Sequence, residues 1–448
     1  MKLTKQEGIT ALISILVLVG IIYLVIPFDN FIRSDILVLS TFVFNGILWA
    51  ILLFHEIIKR AFSLAFMHWS FCLFFFFFAP MVQYAYNIFP WIYYRGDEVL
   101  LISNAILFIW TVFVFLGGCI KHKKPANIIK KQQINFSKIA KYSLAILLII
   151  TLWRIVNIGF INLLARSTSG YSASDSSAIT LFFGHSLSAI AYFSALFCIL
   201  AYKNKASMIY AVIAVLLILI AYPPSGLARY QAAVIYLGLI LTSSNYLKNS
   251  RIFSVMFLVA FLVILPFLNA FRNTAIEDVS YLTAMENVIS NLSISWLAWD
   301  YDAYTILTLA VDYIDKNGVS WGMQYLGVLF FWIPRELWPT KPVGSGAEIA
   351  NSLGLFFNNL SCPLPAEGLI NFSIIGVVAF AVFVGYIMKR LDNLYWDNPL
   401  PNSKIGILYP MCTVFFFFMS RGDLMSSTAF MMADIVVGLI YIKIIDII

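Results

Sequence analysis

Apolar runs of about 20 residues recur along the chain, each continuous rather than alternating, and short polar connections separate them. A run of that length crosses a bilayer as a helix. The pattern predicts twelve spans, near residues 9–27, 36–54, 62–88, 99–119, 140–158, 179–201, 207–222, 227–243, 252–271, 369–388, 405–420 and 424–443. The first run lacks a small-residue cleavage site and reads as a retained helix. The expected fold class is therefore all-α, a polytopic helical membrane protein in three parts. Residues 1–271 hold the first nine spans, 272–368 form one large loop, and 369–448 hold the last three.

The short connections fix the expected orientation. Lys2 and Lys5, the stretch His55–Arg60, the basic run Lys121–Lys141, Lys203 with Lys205, Lys248 with Arg251, Lys389–Lys404 and Lys443 all fall on one side. Positive loops face the cytoplasm, so both termini are expected there and the large loop outside. Composition agrees: of 448 residues 61% are hydrophobic and 11% charged, with mean hydropathy +0.89. The net charge of +7 then reports topology rather than nucleic-acid binding. Five cysteines and four histidines are scattered without ligand spacing, so no metal site and no cofactor is expected.

Arginine departs from this pattern. Of eleven arginines, eight fall on the expected outer side, whereas sixteen of eighteen lysines fall inside. The orientation rule does not distinguish the two residues, but a planar guanidinium grips phosphate bidentately and an ammonium does not. Candidate phosphate ligands are Arg229, which opens a helix after the turn Pro223–Gly226, with Arg272, Arg335 and Arg421 at other outer loops and Arg154 within a span. Arg33, Arg95 and Arg166 read as interfacial bystanders. Acid–base candidates are Glu367 at the lip of a span, Glu336 in the stretch Ile333–Pro342, whose three prolines preclude a helix, and His185, together with Asp300 and Asp302. Each also has a plainer reading: boundary arginines anchor at headgroups, Glu367 suits a helix N-terminus, and a lone helix histidine is usually a packing residue. Asp434 lies mid-span, either paired with an arginine or protonated. Residues Trp296–Ile314 predict an amphipathic helix that lies at the interface, stacks on sugar rings or packs as a lid.

The segments FFWIPRELWPTKPVGSG and PLPAEGLINFSIIGVVAFAVFVGYIMKRLD resemble the oligosaccharide repeat-unit polymerases, the Wzy-type O-antigen polymerases of bacteria, over roughly residues 220–390. Arg335 and Glu336 lie in the matching proline segment, Glu367 in the matching lip, and Arg229 and Arg272 at outer helix ends. The resemblance implies a glycosyltransferase of the inner membrane with its site facing the periplasm. It would transfer a glycan from undecaprenyl diphosphate to a lipid-linked acceptor repeat, without nucleotide sugar, metal or nucleic acid. A partner protein that sets chain length is also implied, and membrane lipid surrounds the chain. The outer loop over Ile161–Ser177 is short where some relatives have a second large one. Two other activities suit the same architecture: a flippase of lipid-linked oligosaccharide, which should show pseudo-repeats that are not visible here, and an O-antigen ligase.

Overall fold

The computed structural model describes residues 35–92, 95–121, 136–164, 178–264, 267–268, 296–397 and 403–447. Among these the protein is all-helical, and eight helices are long and apolar enough to cross a membrane. The elements are α1 (Ile36–Lys59), α2 (Leu64–Tyr86), α3 (Asp97–Cys119), α4 (Phe136–Ile158), α5 (Ala178–Lys203), α6 (Met208–Ala221), α7 (Arg229–Ser243) and α8 (Ser250–Ile264). After them come α9 (Ala303–Asn317), α10 (Met323–Leu329), α11 (Ser345–Leu353), α12 (Leu364–Trp396), α13 (Lys404–Arg421) and α14 (Leu424–Ile447).

Among the described residues eight of the expected twelve spans meet the requirements of length and apolarity. The expected span over 9–27 lies outside the described residues. Those expected over 227–243 and 252–271 appear as α7 (Arg229–Ser243) and α8 (Ser250–Ile264). At 15 residues, α7 covers about 22 Å against a hydrocarbon core of about 30 Å. The run near 405–420 forms α13, 18 residues between Lys404 and Arg421 with Pro410 inside and few exposed side chains. Helices α7 and α13 are largely covered by protein, where length need not match bilayer thickness.

Two groups of helices meet at α13. In one, α12 lies along α3, and α1 packs on α2; in the other, α5 carries α4, α6 and α14. Helix α13 touches α2, α7, α12 and α14, and so joins them. The α3–α12 contact is close because it lacks side chains at the crossing: a Cβ on Gly385 would collide with the Val114 carbonyl, and one on Gly117 with the Val382 carbonyl. Small residues allow such backbone approach in membranes, where dispersion replaces the hydrophobic drive. Phenylalanines 74–78 form a π-helical turn within α2, with Phe74, Phe75, Phe76 and Phe78 buried. Phe74, Phe75 and Phe417 pack against Phe71, Phe257 and Phe261, mostly edge-on or tilted, so these runs are packing surface rather than lipid surface.

Charged groups sort to two ends of the bundle. At one end Arg60, 9% exposed, lies 3.7 Å from the buried Asp392, which also accepts the Leu64 amide (2.9 Å) and the Tyr409 hydroxyl (2.5 Å). At the other end Arg95, Arg229 and Arg421 pair with Asp312, Asp300 and Asp302. Residues expected on one side thus contact one another. Arg95 corrects an expectation: it is no interfacial bystander. Its side chain is 11% exposed, and it binds Asp312 (2.7 Å) and the Thr308 carbonyl (2.9 Å), clamping α9. The sequence showed an arginine in a loop; only packing shows the helix it meets. Helix α9 starts after a single turn of 3₁₀ helix at Trp299–Tyr301, and residues 303–310 are all buried against α12, α3 and α11. The lid reading of this segment is the one that the packing fits.

Replacing Gly385 or Gly117 with valine should push α3 from α12 and cost about 1–3 kcal/mol, the usual penalty of overpacking. A lowered unfolding midpoint of the detergent-solubilised protein would show it; an unchanged midpoint would mean that the crossing is loose.

Candidate functional site

The site grows from the turn Trp299–Asp302, which precedes α9. Gln83, fully buried in α2, donates to the Trp296 and Tyr301 carbonyls at 3.0 Å each and so holds the turn on the bundle. Asp302 is 1% exposed, and its two oxygens accept three hydrogen bonds: from Trp91 Nε1 (2.9 Å), Ser361 Oγ (2.8 Å) and Arg421 Nη2 (2.9 Å). Arg421 also donates to the Trp299 carbonyl at 3.3 Å. Two residues before Asp302, Asp300 forms an ion pair with Arg229, the first residue of α7. Two arginines from separate helices therefore converge on one short turn. Both side chains stay partly exposed, 24% for Arg229 and 26% for Arg421.

Beside this turn lies a buried acid pair. Glu367 is fully buried; its Oε2 accepts from Ser345 Oγ (2.6 Å) and its Oε1 from the Leu424 amide (2.9 Å), the first of α14. Asp423, two residues after Arg421, accepts the Ser426 amide through Oδ1 (2.9 Å), while its Oδ2 abuts Gly344 so closely that a Cβ there would collide with it. Burial pushes the Asp423 carboxyl above the usual carboxylate range. The Gly344–Ser345 backbone thus faces both acids, and the turn Arg421–Asp423 links the acid pair to the arginine pair.

The other expected residues fall elsewhere. Arg335 is exposed and spends its donors on its own loop, on the Lys341 (2.6 Å) and Pro342 (3.2 Å) carbonyls. Lys341 is buried and donates to the Phe331 (2.6 Å) and Ile333 (2.9 Å) carbonyls; burial and the nearby Arg335 lower its affinity for a proton. These two cations brace the proline segment, which carries Glu336 exposed on its surface. Arg154 lies over the Tyr222 ring, 4.1 Å from its centroid, a cation–π contact. Arg272 is outside the described residues. His185 Nε2 hydrogen-bonds the Tyr230 hydroxyl (3.0 Å), and its ring stacks on Phe430 at 3.9 Å. Through Tyr230 it stands one residue from Arg229, beside a cavity with room for about one water that Tyr192, Gln231 and Asp434 also line.

Trp91, Ser361 and Asp423 escaped the reading of the sequence. Asp423 had one usable signal, its place in SRGD next to an arginine already singled out; Trp91 and Ser361 had none, being 211 and 59 residues from Asp302. Among the described residues no group of three or more His, Cys, Asp or Glu side chains could hold a metal ion. Compared with known proteins, the chain matches no family model, no curated protein and no solved structure.

Asp302→Ala should strand Arg421 and release Trp91 and Ser361; truncating one partner of a buried ion pair costs about 3–5 kcal/mol. A limited-proteolysis time course should show faster cleavage of the 296–302 turn, and unchanged cleavage would mean that Gln83 alone secures it. Because the Asp423 carboxyl is raised on folding, its contribution is fully present in acid and is lost as pH rises through the raised value. Asp423→Asn should therefore melt above wild type at neutral pH and level with it in acid; equal melting at every pH would show that Asp423 carries no such linkage.

Proposed function

We propose that this protein is a glycosyltransferase that polymerises oligosaccharide repeat units carried on undecaprenyl diphosphate, acting at the periplasmic face of a bacterial inner membrane. The observation that carries this reading is the meeting of Arg229 and Arg421 on the Trp299–Asp302 turn, with both side chains partly exposed. Each now holds a carboxylate, the geometry that also suits a phosphate oxygen pair. A diphosphate can bridge the two forks and displace Asp300, the more exposed partner at 18%, from Arg229, while the buried Asp302 keeps Arg421 aimed.

In the reaction an acceptor hydroxyl oxygen bonds to the anomeric carbon of the donor. The bond from that carbon to the diphosphate oxygen breaks, and its electron pair leaves on the diphosphate. The arginines stabilise that charge as it forms. The displaced Asp300 carboxylate accepts the hydroxyl proton. It suits that role better than Glu367, whose two oxygens are already taken by Ser345 and Leu424. Arg335, turned onto its own loop, is assigned to loop bracing here rather than to the diphosphate.

Deletion of the chain should leave single-repeat glycan on the lipid A core in a glycan ladder gel. Loss of all surface glycan would point instead to a flippase or ligase. Arg229→Ala and Arg421→Ala should each reduce chain growth by roughly 10²-fold or more, the scale for removing one leaving-group stabiliser. Lysine should restore little at either position, since it lacks the fork. Long chains surviving in both alanine variants would overturn the reading.

A further inference from the structure

Beside the two arginines lies a row of aromatic rings that the diphosphate chemistry leaves unused. Trp91 stacks on Phe357 (5.1 Å, 9° between planes) and lies 4.9 Å from Trp299; Phe356 completes the group, 6.1 Å from Trp91 and 6.3 Å from Trp299. Trp299 is 58% exposed and Phe356 76%, although the turn that carries Trp299 is otherwise anchored by the buried Trp296, Tyr301 and Asp302. The row is built rather than incidental. Trp91 sits at φ +68°, a left-handed conformation unfavourable for a bulky residue, and its indole N–H is fixed on Asp302.

Exposed aromatics on a membrane protein usually mark the headgroup zone. Trp321 and Trp332 fit that description here, being exposed together with the aliphatic Leu329 and Leu337. The Trp91 row differs: its rings pack on one another, Trp91 stacked on Phe357 and the rest tilted or edge-on, and its neighbours are the Asp300–Arg229 and Asp302–Arg421 pairs. Flat apolar faces bordered by carboxylate acceptors and guanidinium donors match a pyranose, which offers a face of C–H groups and a rim of hydroxyls.

We infer that Trp299 and Phe356, backed by Trp91 and Phe357, form a saccharide-binding platform that holds the glycan next to the arginine pair. This rests on the proposed polymerase reading for the identity of the glycan, but the platform can be tested alone. The probes are the repeat-unit oligosaccharide freed from its carrier by mild acid, taken from cells lacking this chain, and undecaprenyl diphosphate without sugar. With the full chain in nanodiscs, calorimetry should show that Trp299→Ala and Phe356→Ala each bind the free oligosaccharide roughly tenfold more weakly than wild type. Both should bind undecaprenyl diphosphate as wild type does, and Trp299→Phe should recover most of the loss. Oligosaccharide binding that is absent in wild type or unchanged in both alanine variants would overturn the platform, as would quenching of Trp299 by brominated lipid as strong as that of Trp332. If the alanine variants lose oligosaccharide binding while Arg229→Ala and Arg421→Ala still make long chains, the platform stands and the polymerase reading falls. The opposite pattern removes the platform alone.

Discussion

A carboxylate removed from water must find donors for both oxygens or become neutral. Asp302, 1% exposed, finds three, and they come from the end of α13, the loop before α12 and the turn after α2. Its position fixes where Arg421 points, which way the Trp91 ring faces, and how the Trp299–Asp302 turn lies across the bundle. Asp300 and Trp299 are carried by the same turn, so the ion pair with Arg229 and the exposed indole follow from it. A buried pair of this kind adds little net stability over a well-packed apolar substitute, yet breaking it is costly. Its value is in specifying one geometry at a place where loops from distant parts of the chain must agree.

The acid pair uses the same physics with another result. Glu367 takes the first amide of α14 and the Ser345 hydroxyl, and so joins α12, α14 and the start of α11. Asp423 is pressed against Gly344 and drawn toward its protonated form by burial. The segment that runs from the proline loop into α11 is therefore held by groups whose charge depends on their surroundings, whereas the proline loop itself is held by Arg335 and Lys341 on its own carbonyls. Cations brace this loop from within and carboxylates fasten its far end.

Much of the candidate site was legible in outline. Arg229 and Arg421 stood out because arginine gathers on one side while lysine gathers on the other, and Glu367 because it precedes a span. The grouping was not legible. Arg335 had the stronger motif but turns to its own loop; Arg421 came from a short turn with no motif and reaches the centre. Arg95 looked like an anchor and proves to be a clamp on α9. For Arg421 and Arg95 the deciding partner lies far along the chain, and for Arg335 it is a pair of carbonyls in its own loop, so side-chain spacing carried no information about any of them.

Hydrophobic run length alone determined that this chain is helical and built to cross a membrane, because in lipid the backbone must satisfy its own hydrogen bonds. The sorting of Lys and Arg between connections likewise anticipated that the charges would gather at two ends of the bundle. Run length could not tell which helices would be largely covered by protein, as α7 and α13 are, from those that keep an exposed apolar side. Only the tertiary structure decided which arginine meets which aspartate. That choice depends on how α7, α13 and the Trp299–Asp302 turn pack together, and on which carboxylates end up buried with no alternative partner.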